Sequence, residues 1–292
     1  MRLLSFVHEG QECWGSTDGV TVAVLGVGAD GLAGYIASQR YLEAEEDTRK
    51  AAVSLQLAEL TLLPVIPRPE KIVCIMRNYE DHHQEVVNAG LQHKKTAYPP
   101  IFTRVWRSQV AHGQPIVCPR ASDKLDWEGE LAAIIGVGGR DIPAERALEH
   151  VAGYACYQDA SIRDFQFHAN AIAAGKNWDS TGGFGPWMVT SDHVDVEKGL
   201  RIEVRLNGEV VQSANTRQMI FGVAEQISYA SQIMTLSPGD VFVTGSPSGV
   251  GWTRTPPRFM KPGDVCEVDI ENVGVLSNPV VGQHAAVKSA AA

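Results

Sequence analysis

RIEVRLNGEVVQ, residues 201–212, alternates apolar Ile202, Val204 and Leu206 with charged Arg201, Glu203 and Arg205 ahead of the dipeptide Asn207-Gly208. A period of two belongs to a half-buried strand, and Asn-Gly is favoured in two-residue hairpin turns, so an antiparallel hairpin is predicted. Just beyond it, Ile220, Val223, Ile227, Ala230 and Met234 recur at spacings of three and four, the apolar face of a helix that should pack on a sheet. Pro-Gly-Asp occurs at 238–240 and again at 262–264, each time before a strand-like run, which is turn chemistry. Upstream, 71–75 reads as a strand, and 131–137 reads as a buried one because it carries no polar residue. Strands are many, helices few, and no β-α-β alternation is sustained. The expected fold is mixed α/β and mostly β, a sandwich or roll and not a doubly wound sheet.

The same reading divides the chain. Residues 1–65 are expected to form a small N-terminal domain of short strands and a charged, helix-like run from Glu43 to Lys50. Pro64, Pro67 and Pro69 close it, since three prolines so near one another cannot lie within a helix or central strand. Residues 66–292 form the larger domain. Gly26, Gly28 and Gly31 make a G-x-G-x-x-G pattern, but a dinucleotide site needs an acidic residue ending a second strand about 20 positions on. Here the acids Glu43, Glu45 and Glu46 fall in the helix-like run, so the glycines read as a loop.

The 292 residues include 25 Lys+Arg against 34 Asp+Glu, a formal net charge of −9, with no basic block to serve as a nucleic-acid footprint. No run approaches the ~20 apolar residues of a bilayer span. The start, with His8 and Glu9 after a short apolar stretch, does not read as a signal peptide, and five scattered cysteines without a C-x-x-C pair suit neither a disulfide framework nor a zinc ribbon. A cytoplasmic protein acting on a small anionic molecule, without nucleic-acid or membrane partners, is the expectation.

Three groups of residues carry chemistry. Asp126, Glu128 and Glu130 alternate with Trp127, Gly129 and Leu131, so on a strand entering the core two or three carboxylates share one face. Buried together, such charges are costly unless a cation lies among them; a solvated strand edge is the plainer alternative. A second strand, with Val151, Gly153, Ala155 and Tyr157 on one face, would bring Asp159 as a third ligand. An all-oxygen set suits Mg²⁺, Mn²⁺ or Ca²⁺ and not zinc. Arg163 and Gln166 would project from a helix starting there, although Asp159 would serve equally as an N-cap with a surface Arg after it. His82 and Glu85, three apart, are neighbours on a helical turn, where the glutamate would fix the imidazole tautomer and make it a proton acceptor; His83 is a rival, and a surface pair without function the alternative. Gly175-Lys176-Asn177 and Thr244-Gly245-Ser246 offer an ammonium and hydroxyls in glycine-containing loops.

KIVCIMRNYEDHHQE (71–85), DWEGELAAIIG (126–136), VAGYACYQDASIRDFQ (151–166), GKNW (175–178), GGFGPW (182–187), TRQMIF (216–221) and LSPGDVFVTGSPSGVG (236–251) together resemble the fumarylacetoacetate hydrolase family, in that family's order across nearly all of 65–285. The resemblance implies a β-sandwich roll, usually a homodimer, with a divalent metal on Glu128, Glu130 and Asp159. It implies His82 and Glu85 as the water-activating pair, Lys176 as a catalytic cation, and Arg77, Arg104, Arg163, Gln166, Thr244 and Ser246 as substrate contacts. The sequence departs from the family pattern at Met76, where Gly is usual, at Arg104 for Lys, and at Ser246 for Thr.

The reaction expected from this set is metal-assisted hydrolysis of a carbon–carbon bond in a small anionic 1,3-diketone acid, such as an acylpyruvate, with Mg²⁺ or else Mn²⁺ or Ca²⁺. A metal-bound enolate would equally serve an oxaloacetate decarboxylase or an enol–keto isomerase, which need no water nucleophile. A metal-binding module without catalysis is the reading from another class.

Overall fold

The computed structural model describes residues 1–90, 95–168 and 171–283. The hairpin forms as expected: Arg201–Leu206 pairs with Glu209–Asn215 across Asn207 and Gly208, whose φ values of 54° and 82° are those a two-residue turn of this hand requires. Asn207 also accepts from the Val265 N–H at 2.8 Å, joining the turn to the next strand. A five-stranded sheet results, in the order Glu209–Asn215, Arg201–Leu206, Val265–Ile270, Gly274–Gly282 and Ile116–Cys118. Both Pro-Gly-Asp stretches are turns closed in one manner, with Asp240 accepting from the Ser237 N–H at 2.8 Å and Asp264 from the Lys261 N–H at 2.9 Å.

The larger sheet is centred on Gly129–Ile135, flanked by Val151–Asp159 on one side and Val241–Val243 on the other. Leu131, Ala133 and Ile135 enter the core shared with Val204, Val268 and Leu276 of the five-stranded sheet. Ala132 and Ile134 enter a second core, with Ile72, Cys74 and Val241 and with Leu32 and Ile36 of the helix Gly31–Ala37. A strand segment buried on both faces is apolar, which is why 131–135 shows no alternation; the strand ends at Ile135, and Val137, expected within it, is exposed. The helix Val223–Ile233 buries Val223, Ile227 and Ala230 of the predicted face, while Ile220 and Met234, also expected on it, lie just outside the helix.

Residues 1–65 continue this sheet. Arg2–His8 lies beside Gly182–Thr190, with Leu3 opposite Met188, and Leu3 shares its core with Tyr157 and Phe184. Between the prolines, Val65 and Ile66 are fully buried. The strand before the glycine pattern, Thr21–Val27, pairs antiparallel on both sides, and a Cβ on Gly26 would lie 2.1 Å from the Trp14 ring. That glycine serves close packing, and the antiparallel pairing is not a dinucleotide fold.

Gly129 has a similar role at the centre of the molecule. A Cβ there would sit 2.2 Å from Val204 Cγ2, so the group that approaches it is the facing sheet and not a ligand. Gly129→Ala is expected to cost about 1–3 kcal/mol through overpacking, read as a lower denaturation midpoint in urea. An unchanged midpoint would contradict the packing argument.

Candidate active site

Strand register assembles the acidic cluster. Gly129 lies opposite Gln158, Glu130 opposite Tyr157, and the Asp159 N–H donates to the Glu128 carbonyl at 2.8 Å. Glu128 and Glu130 are two apart and therefore share a face, with Asp159 alongside on the antiparallel neighbour. One oxygen from each of the three buried carboxylates lies within 4.8 Å of the others.

Buried cations balance this charge. Lys176 Nζ donates to the Glu128 and Asp159 carboxylates, and to the Asp159 carbonyl at 2.9 Å. Arg163 donates through Nε to Asp126 and through Nη2 to Glu128, both at 2.8 Å, and through Nη1 to Gln166 Oε1 at 2.9 Å. Burial pushes the Glu128 carboxyl up, but Arg163, Lys176 and His82 outweigh it and hold the group well below the usual carboxylate range. Glu130 goes the other way: burial, reinforced by Asp159, raises it well above its ordinary value against a partial offset from Lys176. Burial lowers the Lys176 ammonium, and Asp159 and Glu128 more than restore it, so it stays charged. Three convergent oxygens, one belonging to a carboxyl whose charged form is disfavoured by burial and by Asp159, fit a hard divalent cation.

A second element brings the acid–base pair. The helix Glu80–Asn88 carries His82 and Glu85 one turn apart, with Nδ1 and Glu85 Oε2 separated by 2.8 Å. The other oxygen of Glu85 accepts from the Gly249 N–H at 3.0 Å and the Thr253 hydroxyl at 2.7 Å. Burial raises Glu85, but its bonds from His82 and Thr253 prevail and hold it below the ordinary carboxylate value. An ionised Glu85 assigns the proton to Nδ1 and leaves Nε2 as the acceptor. The turn before this helix is pinned by buried Asn78, which donates to the Phe221 and Thr244 carbonyls at 2.9 and 2.8 Å and accepts from the Phe221 N–H at 2.8 Å.

Both groups open on one cleft of about 590 Å³, which His82, Lys176 and the three carboxylates line together. Its apolar wall is Met76, Phe102, Phe167, Ile172 and Trp252, and Arg77, Arg163, Gln166 and Ser246 also reach it. Two expected substrate contacts stand elsewhere. Arg104 is buried behind Asp159, donating to its carboxylate at 2.5 Å, to Thr181 Oγ1 at 2.7 Å and to Ser108 Oγ at 3.1 Å. Its guanidinium is committed to protein oxygens and orients the aspartate. The Thr244 hydroxyl donates to the Leu131 carbonyl at 2.9 Å, inside the sheet and away from the cleft.

Other supports were not foreseen. Asp126 stands outside the cluster of three and takes the N–H groups of Gly251 and Trp252, at 2.7 and 3.0 Å, together with Arg163. Gln158 accepts from the Glu128 N–H at 2.6 Å and Gln212 from the Gly129 N–H at 3.1 Å. Gln212 also donates to Ser246 Oγ at 2.9 Å. A glutamine at a buried strand position is the one signal that marks Gln158 and Gln212, because a buried amide needs partners. Nothing local marks Thr253.

The family described as fumarylacetoacetate (FAA) hydrolase, C-terminal, matches residues 71–281. Among known proteins the chain is similar to the Xenopus laevis protein named oxaloacetate tautomerase fahd2, mitochondrial, at 42% identity over 246 residues, 82% of this chain and 76% of that one. That name places its bearer in mitochondria, whereas the sequence reading expected a cytoplasmic protein. Among the described residues, no helix is long and apolar enough to cross a membrane. Of solved structures, fumarylacetoacetate hydrolase from psychrophilic Exiguobacterium antarcticum superposes with a TM-score of 0.83 at 34% identity, covering 97% of this chain and 100% of that one. Maleylpyruvate hydrolase from Sphingobium sp. SYK-6, solved with a manganese(II) ion and pyruvate, gives 0.78 at 28% identity, covering 97% and 99%. The matched region holds every group described around the cleft, and the chain belongs to the fumarylacetoacetate hydrolase family.

Proposed function

We propose that this protein is an oxaloacetate tautomerase, interconverting the enol and keto forms of the acid with Mg²⁺ or Mn²⁺ on Glu128, Glu130 and Asp159. The observation that carries the reading is one cleft in which buried His82, bonded to Glu85 behind it, lies with the carboxylate cluster and Lys176. Similarity to a protein named oxaloacetate tautomerase favours this over the carbon–carbon hydrolysis set out first from the sequence.

Tautomerisation moves one proton between the C2 oxygen and C3. Towards the keto form, the enol hydroxyl proton leaves to solvent while C3 gains a proton from His82, which is replenished from solvent; in reverse, His82 Nε2 removes the C3 proton. Glu85 holds the imidazole in the tautomer this requires and stabilises its protonated form. A divalent ion held by Glu128, Glu130 and Asp159 would supply positive charge that stabilises a developing enolate. The Lys176 ammonium adds to that charge, and Arg77 is the cleft cation we assign to the distal carboxylate. The protein would work as the homodimer that the family resemblance implies.

Loss of the ultraviolet absorbance of the oxaloacetate enol, followed with Mg²⁺ and with EDTA, tests the reading. The expected result is metal-dependent acceleration with no pyruvate formed and no cleavage of acetylpyruvate. Stoichiometric pyruvate from oxaloacetate would make the protein a decarboxylase, and acetate from acetylpyruvate would restore the hydrolase.

A further inference from the structure

Behind the cleft lies a second recess of about 310 Å³, lined by His83, Lys95, Thr96, Pro100, Ile220 and Phe221 and by two residues that also line the cleft, Met76 and Arg77. Among the described residues these two alone belong to both cavities, so they form the partition between them. The backbone on either side is held fast. The Met76 N–H donates to the Pro100 carbonyl at 3.0 Å, Arg77 has a φ of 52°, and the Asn78 carbonyl accepts from the Ile220 N–H at 2.7 Å. The yielding part of the wall is the unbranched Met76 side chain, whose Sδ lies 3.4 Å from Arg77 Nη2. Beyond it the recess carries the basic side chains of Arg77, His83 and Lys95, the last paired with Glu80, beside apolar Pro100, Ile220 and Phe221, so a carboxylate reaching it meets three cationic side chains.

We infer that Met76 sets the chain length of the acid this site accepts: it closes the cleft behind a four-carbon diacid, and shortening it opens the recess to a longer 2-oxo diacid whose far carboxylate lies among Arg77, His83 and Lys95. The inference deepens the tautomerase reading by naming what limits its substrate. Exclusion by apolar bulk is modest, one methylene in a pocket counting for about 10–200-fold, and this bounds the effect.

The test is the ratio of dissociation constants for oxaloacetate and for six-carbon 2-oxoadipate, measured by calorimetry with Mg²⁺ present. Met76→Ala is expected to move that ratio about 10–200-fold towards 2-oxoadipate, with Met76→Val moving it less in the same direction. Adding Lys95→Met to Met76→Ala should remove part of the gain. A ratio unchanged in both Met76 variants, or a gain indifferent to Lys95, would overturn the inference. Because binding and not turnover is read, a wild type that failed to interconvert oxaloacetate would refute the proposed function and still leave the length limit decided.

Discussion

Alanine in place of His82 is expected to lower the tautomerisation rate about 10²–10⁴-fold, the usual contribution of a positioned acid–base group. The loss should fall on kcat, because the imidazole acts on the C3 proton while Lys176, Arg77 and a divalent ion on the carboxylate cluster would still bind the acid. Glu85→Gln retains the shape but offers its neighbours an uncharged partner, so it should lose less. The pH profile separates orientation from simple folding. Glu85 is held below the ordinary carboxylate value in part by the Thr253 hydroxyl, 2.7 Å from Oε1. Thr253→Val removes that donor, so the Glu85 pKa should rise and the acid limb of activity should move to higher pH. Stability follows the same sign: a carboxyl depressed in the folded state adds stability above its unfolded pKa and loses it as pH falls through the folded value. An enzyme indifferent to His82→Ala would place the proton transfer on another group.

The second large effect concerns Glu128. This carboxylate is shared by Arg163 Nη2 at 2.8 Å, Ser161 Oγ at 3.1 Å and the Lys176 ammonium, all buried. Glu128→Ala leaves Lys176 with Asp159 and Arg163 with Asp126 but takes one of two carboxylates from each buried cation, and removing one partner of a buried pair costs up to about 3–5 kcal/mol. A surface ion pair such as Arg146–Glu149, 2.9 Å apart, would cost about 1 kcal/mol or less if broken. Urea unfolding of Glu128→Ala beside Arg146→Ala makes the comparison. The first variant should also bind Mn²⁺ more weakly, since it lacks one of three oxygen donors. Equal small losses in both variants would mean that water reaches the cluster and screens it.

The sequence legibly determined what near neighbours control. The alternation over 201–206 with Asn207-Gly208, the three-and-four spacing over 223–230 and the unbroken apolar run after Glu130 each report a local period or turn, and each element forms there. The pairs Glu128/Glu130 and His82/Glu85 were readable for the same reason, as two positions on one strand face and one turn of one helix. Residue type gave no warning of the partners that folding brings from afar. Arg104 reads as a cation for substrate, yet its guanidinium meets Asp159, 55 positions on. Thr244 reads as a hydroxyl for the site, yet a strand neighbour's carbonyl takes it. Asp126 reads as one of two or three carboxylates sharing a strand face, yet backbone N–H groups 125 and 126 positions away claim its oxygens. Propensity and periodicity are properties of a short segment, whereas the direction a buried polar group faces depends on which distant donors and acceptors the packed sheets bring within reach, and only the tertiary structure decides that.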